Sequence, residues 1–247
     1  MINKHPASQE KMLAENITAV RRQIAEATQH AGRSPDEVTL VAVSKTKPLE
    51  LVKLAYNLGL TNFGENRVQE ALTKIADFNP AGIRWHMIGH VQSNKAGKVI
   101  GSFACIHSVD SLHIAQALNQ QAEKASQTSA TIIRQPILLQ VNISGEQSKE
   151  GMSEEETPLL ARQVVALPHL DVQGLMTVAP LVQDPEEVRL VFRRLRELNE
   201  RLRQEVVGSL WQHLSMGMTD DYRVAIEEGA TIVRVGRAIF GERTKKE

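Results

Sequence analysis

A single cysteine, Cys105, is the whole thiol content of the 247-residue sequence, which excludes an intramolecular disulfide framework and fits a reducing compartment. The start of the chain lacks an apolar core of signal-peptide length, and no uninterrupted apolar run is long enough to span a bilayer. Charge of one sign is also missing, because 29 basic residues balance 29 acidic ones. The sequence therefore predicts a soluble, cytoplasmic protein whose partners include neither nucleic acid nor a membrane.

Several common site patterns are absent as well. There is no cysteine-rich metal pattern, glycine-rich dinucleotide fingerprint, P-loop or nucleophile elbow. His86 and His90 lie four residues apart, but on a predicted strand, and no third ligand is evident. We therefore expect no metal site.

One pattern recurs along the chain: a short apolar run ends in Gly, Ser, Asn or His, and an amphipathic segment with helical spacing follows. The eight runs are Thr39–Lys45, Thr61–Gly64, Arg84–Ile88, Phe103–His107, Ile137–Asn142, Val172–Met176, Trp211–Leu214 and Thr231–Val235. Eight alternating units predict an α/β fold, a single (β/α)8 TIM barrel. No linker rich in Pro, Gly or Ser divides the chain, so residues 1–247 are expected to form one domain, with residues 1–10 flexible.

Two of the predicted helices have features of their own. Leu13, Ile17, Val20 and Ile24 form one apolar stripe, which indicates an extra N-terminal helix that ends near Gly32. The segment EEVRLVFRRLRELNERLRQE alternates acids and bases beside an apolar stripe, which favours a solvated barrel helix with many ion pairs over a nucleic-acid-binding surface.

Active sites of such barrels collect at the carboxyl ends of the strands, where Lys45 follows the first run. The loops after strands seven and eight are the common phosphate position, and here they carry Ser215, Gly217, Gly236 and Arg237. A lysine that is partly out of water loses its proton more easily, and its neutral amine attacks aldehydes. Aldehyde plus phosphate suggests pyridoxal phosphate, with Arg234 placed to face the pyridine nitrogen.

The sequence resembles a known family, the YggS/PROSC pyridoxal phosphate homeostasis proteins, which look like the barrel half of alanine racemase. The matching stretches are VAVSKTKP, NFGENRVQE, WHMIGHVQSNK, VNISGEQSKEG, GLMTV and SMGMTDDYRVAIEEGATIVRVGRAIFG. The resemblance implies a barrel like that of fold type III pyridoxal phosphate enzymes, without their second domain.

By that resemblance Lys45 forms the internal aldimine with the cofactor. Ser215 and the Gly236-Arg237 backbone would hold its phosphate, beside Gly217, and Arg234 would face the ring nitrogen. Asn66, His90 and Met176 would line the remaining walls. The implied role is cofactor homeostasis, by buffering pyridoxal phosphate or delivering it to apo-enzymes that depend on it.

Each assignment has a structural alternative. Lys45 could simply extend from a strand end into water. Arg234 could pair with a carboxylate such as Glu228. Ser215 and Gly217 could be ordinary loop residues, with Thr219 or Asp220 capping the next helix. Lys149 is expected to be a solvated loop lysine rather than a second transfer site.

Three functions remain open: a carrier, a pyridoxal phosphate enzyme such as an amino-acid racemase, and an aldolase-type barrel in which Lys45 attacks a sugar phosphate. Arginine only donates hydrogen bonds, so a ring nitrogen bonded to Arg234 is unprotonated and a weak electron sink. A two-base racemase needs a second domain and a tyrosine base, whereas Tyr56 and Tyr222 both fall in predicted helices. We therefore predict a monomeric or weakly associating carrier without catalytic residues, and slow one-base activity through Lys45 stays open as an alternative.

Overall fold

The computed structural model describes residues 6–129, 131–146 and 149–242. In these ranges eight parallel strands close into a barrel. They are β1 (Thr39–Val43), β2 (Asn62–Glu65), β3 (Arg84–Met87), β4 (Cys105–Val109), β5 (Gln135–Gln140), β6 (Leu170–Met176), β7 (His213–Ser215) and β8 (Ile232–Val235). Each strand pairs with the next in sequence, and β8 closes on β1 with Thr39 beside Ile232. The predicted barrel is confirmed.

Helices surround this barrel. They are α1 (Pro6–His30), α2 (Leu49–Asn57), α3 (Val68–Asp77), α4 (Ala96–Val99), α5 (Leu112–Thr128), α6 (Thr157–Val165), α7 (Arg189–Glu205), α8 (Tyr222–Glu227) and α9 (Arg237–Phe240), with short 3₁₀ turns at Pro35–Glu37, Ser93–Lys95 and Pro185–Val188. Across the described ranges, no helix is both long and apolar enough to cross a membrane.

The observed strands match the predicted runs except at their ends. β1 stops at Val43, two residues before Lys45, and Thr46 adopts a left-handed φ of 63° that ends the extended chain. β7 starts at His213, not at Trp211, because Trp211 also has a left-handed φ, of 48°. Lys45 therefore lies in a turn just beyond its strand.

The predicted N-terminal helix is confirmed as α1. Its apolar stripe is buried, with Leu13 fully covered, and Asn16 Nδ2 donates to the carbonyl oxygen of Ile239 in α9 at 2.9 Å. Residues 1–5 of the segment predicted to be flexible lie outside the described residues, and residues 6–10 form the start of α1.

Helix α7 is the ion-paired barrel helix that the charge pattern predicts. Its apolar stripe, which includes Phe192, Leu195 and Leu202, is buried, while four of its arginines pair with carboxylates: Arg189, Arg193, Arg194 and Arg196. Glu228, just after α8, forms ion pairs with three of them. These pairs fix α7 to α8.

The barrel interior is apolar around one buried cluster, formed by Val41, Cys105, Leu138, Met176 and Ile232. Side chains alternate along a strand, so residues two or four positions from these also face the interior or its mouth. By this alternation Lys45, His107 and Arg234 fall on the interior side. The apolar cluster lies in the barrel interior, below the candidate site at the mouth.

Candidate functional site

Three of the predicted residues follow neighbouring strands at the carboxyl end of the barrel. β1 pairs with β2 so that Val43 lies beside Gly64, and Lys45 and Asn66 each come two residues later. On the other side, a Cβ built on Gly236 would lie 3.4 Å from the Val43 Cβ. The strand register therefore brings Lys45, Asn66 and Gly236 to one part of the mouth.

The Lys45 turn is held by backbone hydrogen bonds. Lys47 N donates to the Ser44 carbonyl oxygen at 3.0 Å, and Thr46 N donates to Glu70 Oε1 at 2.6 Å. Lys45 itself is half-buried. These hydrogen bonds fix the backbone position from which the Lys45 side chain extends.

A buried ionic cluster lies behind that turn. Lys74 Nζ donates to Glu65 Oε1 at 2.8 Å, to Glu70 Oε1 at 2.9 Å and to the Ser44 carbonyl oxygen at 2.9 Å. Ser44 Oγ also donates to Glu65 Oε1 at 2.6 Å. The cluster joins α3 and β2 to the first residue after β1.

Burial and hydrogen bonding act differently on the two carboxyl groups. Burial raises the pKa of Glu65, and the hydrogen bonds from Lys74 and Ser44 offset only part of that effect. For Glu70 burial also acts upward, but the hydrogen bonds from Lys74 and the Thr46 N–H outweigh it and the pKa is lowered. Sequence reasoning missed this cluster, because nothing in the pattern says that Lys74 and Glu65 are buried.

Asn66 presents an unsatisfied oxygen. Within the described part of the chain, its Oδ1 is buried and has no hydrogen-bond partner. The loop after β3 packs directly against Asn66. A Cβ on Gly89 would lie 2.4 Å from the Asn66 carbonyl oxygen, so only glycine fits there. A buried acceptor without a donor is costly unless a ligand or water supplies one.

Arg234 lies inside the barrel and is 4% exposed. Its Nη1 donates to Ser215 Oγ at 2.6 Å, and its Nη2 donates to the Thr177 carbonyl oxygen at 2.8 Å. Burial lowers the pKa of Arg234 to about 10, against the nearby charge of Asp221, so the group remains a cation at neutral pH. A fixed guanidinium with further N–H donors is a suitable partner for an acceptor atom of a ligand.

The alternative pairing of Arg234 with Glu228 is wrong. The Glu228 carboxylate accepts from Arg193 Nη2 at 2.9 Å and from Arg189 Nη1 at 3.3 Å, and it forms an ion pair with Arg196 Nη1 at 3.2 Å, all on α7. The outer helices satisfy this carboxylate because Glu228 follows α8, whereas Arg234 is on the interior side of β8.

The predicted phosphate residues converge between β7 and β8. Gly236 N donates to Thr219 Oγ1 at 3.4 Å, and the Arg237 guanidinium turns outward to Asp220 and to Glu242, 3.3 Å away. The first N–H groups of a helix have no intrahelical acceptor, so the Arg237 N–H is placed to meet an anion beside the Thr219 hydroxyl, which accepts from Gly236 N. Sequence reasoning had given Thr219 a different role, as a candidate cap of the next helix.

Neither Thr219 nor Asp220 caps α8, so that expectation is corrected. The N-cap position is Asp221, without a side-chain hydrogen bond into the helix. Its carboxylate instead accepts from Met218 N, closing the loop on itself. This leaves the Thr219 hydroxyl at Gly236.

Gly217 has a structural reason to be glycine. Its φ is +91°, and a Cβ there would lie 2.6 Å from the Ala225 Cβ. Its carbonyl oxygen accepts from Arg234 N at 3.0 Å. Gly217 therefore lets the loop after β7 pass between β8 and α8.

Met176 and His90 occupy different surroundings. Met176 is buried in the apolar cluster below the mouth. His90 is 45% exposed and its Nδ1 lies 3.3 Å from Asp110 Oδ2 and 3.9 Å from Glu150 Oε1. The expectation that Lys149 is solvated is corrected, because its side chain is only 20% exposed and its Nζ pairs with Glu146 Oε1 at 2.8 Å. Their roles toward a ligand stay predictions.

Two interior histidines form a contact that sequence reasoning missed. His86 was considered with His90, but its Nδ1 lies 3.0 Å from His107 Nε2, and His107 Nδ1 lies 2.9 Å from Ser215 Oγ. His86 pairs with Cys105 of the interior cluster across β3 and β4, and His107 is two residues after Cys105, so strand register and alternation place both on the interior side.

The chain was compared with known proteins. Residues 16–244 match the family described as alanine racemase, N-terminal domain. A pyridoxal phosphate homeostasis protein of Pseudomonas aeruginosa is 45% identical over 231 residues, which cover 94% of this chain and 96% of that protein.

Solved structures agree. PipY of Synechococcus elongatus, solved with PLP bound, is 34% identical with a TM-score of 0.80, covering 93% of this chain and all of PipY. Alanine racemase from Corynebacterium glutamicum, at 17% identity, shares the fold with a TM-score of 0.69 over 95% of this chain and 62% of the racemase. The chain therefore belongs to the alanine racemase N-terminal domain family, among its pyridoxal phosphate homeostasis proteins.

Proposed function

We propose that this protein binds pyridoxal phosphate covalently through Lys45 and acts in homeostasis of that cofactor. When bound, pyridoxal phosphate supplies an aldehyde carbon that reacts reversibly with a lysine amine. Lys45 supplies the amine, from a turn that Glu70 and Lys74 hold in place. Relatives named pyridoxal phosphate homeostasis proteins, and PipY solved with PLP bound, support the choice of cofactor.

The observation that carries the proposal is the buried, unpartnered Oδ1 of Asn66 at the level of Lys45. Pyridoxal phosphate has a ring hydroxyl beside its aldehyde, which is the kind of donor that this oxygen lacks. The residues around Lys45 therefore fit the group in both charge and hydrogen-bonding capacity.

The remaining residues divide the cofactor between them. Arg234 donates toward the pyridine nitrogen, since its buried guanidinium has N–H groups beyond those used by Ser215 and Thr177. The N–H groups of Gly236 and Arg237 hold the phosphate, joined by the Thr219 hydroxyl. Gly217 shapes that loop, and Met176 and His90 contribute to the walls.

The role we propose is that of a carrier rather than an enzyme. Neither tyrosine of the chain serves as a second base in this proposal: Tyr56 donates to the Ala81 carbonyl oxygen at 2.8 Å, and the Tyr222 hydroxyl bonds to Gln23 of α1. An arginine at the ring nitrogen also withholds the proton that would strengthen carbanion chemistry. Incubation with alanine in D₂O tests this part, and α-proton exchange at the rate of a racemase would contradict it.

The wider setting is part of the same proposal. The protein works in the cytoplasm as a monomer and passes the cofactor to apo-enzymes that need it. Light scattering after size exclusion tests the first point, and a particle of about 55 kDa, twice the 27.4 kDa of the chain, would contradict it. Reactivation of an apo-transaminase, in the presence of a trap for free cofactor, tests transfer.

The main experiment is reduction of the loaded protein with borohydride, followed by peptide mapping. We expect the label on Lys45, and its loss in Lys45→Ala. Lys53→Ala is a matched control, because Lys53 is on adjacent α2 and its Nζ pairs with Glu50 at 3.1 Å. We expect the Lys53→Ala variant to keep the label on Lys45. Labelling of another lysine in wild-type protein, or none, would overturn the proposal.

A further inference from the structure

A single line of hydrogen bonds crosses the barrel interior from the start of β2 to Arg234. Asn62 Nδ2 donates to Thr61 Oγ1 at 3.2 Å, which leaves Asn62 Oδ1 to accept from His86 Nε2 at 3.0 Å. A neutral imidazole that donates from Nε2 accepts at Nδ1. His86 Nδ1 therefore accepts from His107 Nε2, 3.0 Å away.

The same rule carries the direction onward. His107, donating from Nε2, must accept at Nδ1, and the donor there is the Ser215 hydroxyl at 2.9 Å. Ser215 has only that proton, so its oxygen accepts from Arg234 Nη1 at 2.6 Å. From Arg234 to Asn62, each donor therefore meets one acceptor. Arginine has no acceptor, so the direction of donation is fixed at the Arg234 end.

The line is consistent only if both imidazoles are neutral. A proton added at His86 Nδ1 would face the Nε2–H group of His107, and a proton added at His107 Nδ1 would take the acceptor that the Ser215 hydroxyl uses. The charged and titratable groups facing the pair are Arg84, His213 and Arg234, none of which is a carboxylate. Burial, with the Arg84 charge, lowers the pKa of His86 to about 3, and burial lowers the pKa of His107 well below its usual value.

We propose that His107, oriented by His86, is a positioning residue: it holds Ser215 so that the serine oxygen accepts from Arg234 and fixes the guanidinium for a pyridine nitrogen. This rests on the proposed binding of pyridoxal phosphate. Ser215 then serves Arg234, because its single proton goes to His107, and the hydroxyl that serves the phosphate is that of Thr219.

The line itself is tested in cofactor-free protein. A long-range ¹H–¹⁵N correlation spectrum distinguishes the two neutral imidazole tautomers from the imidazolium ion. We expect His86 and His107 to be neutral Nε2–H tautomers throughout pH 6–8. An imidazolium ion or an Nδ1–H tautomer at either ring would overturn the proposal, whatever the protein does with pyridoxal phosphate.

The coupling to the ligand is tested with pyridoxal phosphate as the probe. We expect His107→Leu and Ser215→Ala each to raise Kd roughly threefold to tenfold and to shift the visible band of the bound cofactor. Because both act on Arg234, the double variant should be no weaker than the weaker single variant. His107→Gln keeps one donor and one acceptor and should restore most of the affinity.

Cys105→Ala is the matched control, since Cys105 is two residues earlier on β4 and belongs to the apolar cluster. It should lower the thermal midpoint without moving the cofactor band or the tautomers. Additive losses in the double variant, or a Gln variant no better than Leu, would overturn the positioning role. If wild-type protein fails to bind the cofactor, the proposed function falls, while the tautomer result stands.

Discussion

Glu65 and Lys74 lie behind the Lys45 turn with side chains that are 0% and 8% exposed. Within the described ranges, Glu65 Oε2 has no hydrogen-bond partner, so this carboxyl group depends on Lys74 and Ser44 at its other oxygen. A buried ion pair of this kind contributes little net stability, but removal of one partner leaves an uncompensated charge. The cluster is therefore better understood as a device that fixes the turn.

We expect Lys74→Met to lower the free energy of unfolding by about 3 kcal/mol at pH 8. The variant raises the already elevated pKa of Glu65 further, because it removes the hydrogen bond that lowers it. A raised carboxyl pKa favours folding below the unfolded-state pKa, and that contribution is lost as the pH rises through the folded-state pKa. The loss should therefore be smaller at pH 5, as urea unfolding at both pH values will measure.

Lys98→Met is the control for this variant, since Lys98 is exposed on α4. It should change the stability by no more than about 0.5 kcal/mol. An equal loss for Lys74→Met at pH 5 and pH 8 would contradict a charged Glu65 partner.

The Thr219 hydroxyl gives a second residue-level prediction. We expect Thr219→Val to raise the Kd for pyridoxal phosphate about tenfold, because a hydrogen bond to a charged group is lost, and to leave the Kd for pyridoxal unchanged. Ser215→Ala should weaken both ligands alike, since it acts through Arg234. Fluorescence titration with the two ligands measures this, with Thr219→Ser as the variant that keeps the hydroxyl.

At the scale of the elements, α7 and α8 are joined through one carboxylate. Glu228 is 4% exposed and forms ion pairs with three α7 arginines. Burial acts to raise the pKa of Glu228, but the hydrogen bonds from Arg193 and Arg189 outweigh it, so the pKa is lowered. Such a group stabilises the fold above its unfolded-state pKa, and the contribution disappears as the pH falls through the folded-state pKa.

We expect Glu228→Gln to cost about 2 kcal/mol at pH 7, between the values for exposed and buried ion pairs. The cost should shrink as the pH falls through the lowered folded-state pKa of Glu228, because the wild-type carboxyl group is then also protonated. Glu200→Gln is the comparison, because Glu200 pairs with Arg196 alone and is 58% exposed. Chemical unfolding of the three proteins at pH 7 and at acid pH decides, and a cost independent of pH would rule out the ionic link.

Element positions were accessible from the sequence to a large extent, and their ends were not. Buried parallel strands read as apolar runs, so β1 and β8 stand out at once. The ends depend on single backbone angles, such as the left-handed Thr46 and Trp211, to which apolar patterns are blind. Although β1 ends two residues earlier than predicted, Lys45 still lies at the mouth, because the turn after β1 is on that side of the barrel.

At the scale of the whole molecule, ligand binding should be visible as stability. If pyridoxal phosphate binds the folded state alone, a free concentration one hundred times Kd adds about 2.7 kcal/mol to the free energy of unfolding. For a chain of this size that corresponds to a rise in Tm of roughly 5–10 °C. Differential scanning fluorimetry measures it, with Lys45→Ala as the comparison that should show a much smaller rise.

The sequence by itself determined the number and order of strands and helices, the barrel, and the set of residues at the strand ends. Those features follow from local periodicity and from the rule that parallel strands end on one side. The tertiary structure decided which of these groups meet: Lys74 with Glu65, Glu228 with α7, Thr219 with Gly236, and His107 between His86 and Ser215. Such contacts join residues far apart in the chain, and burial and hydrogen-bond direction exist only once the barrel has closed.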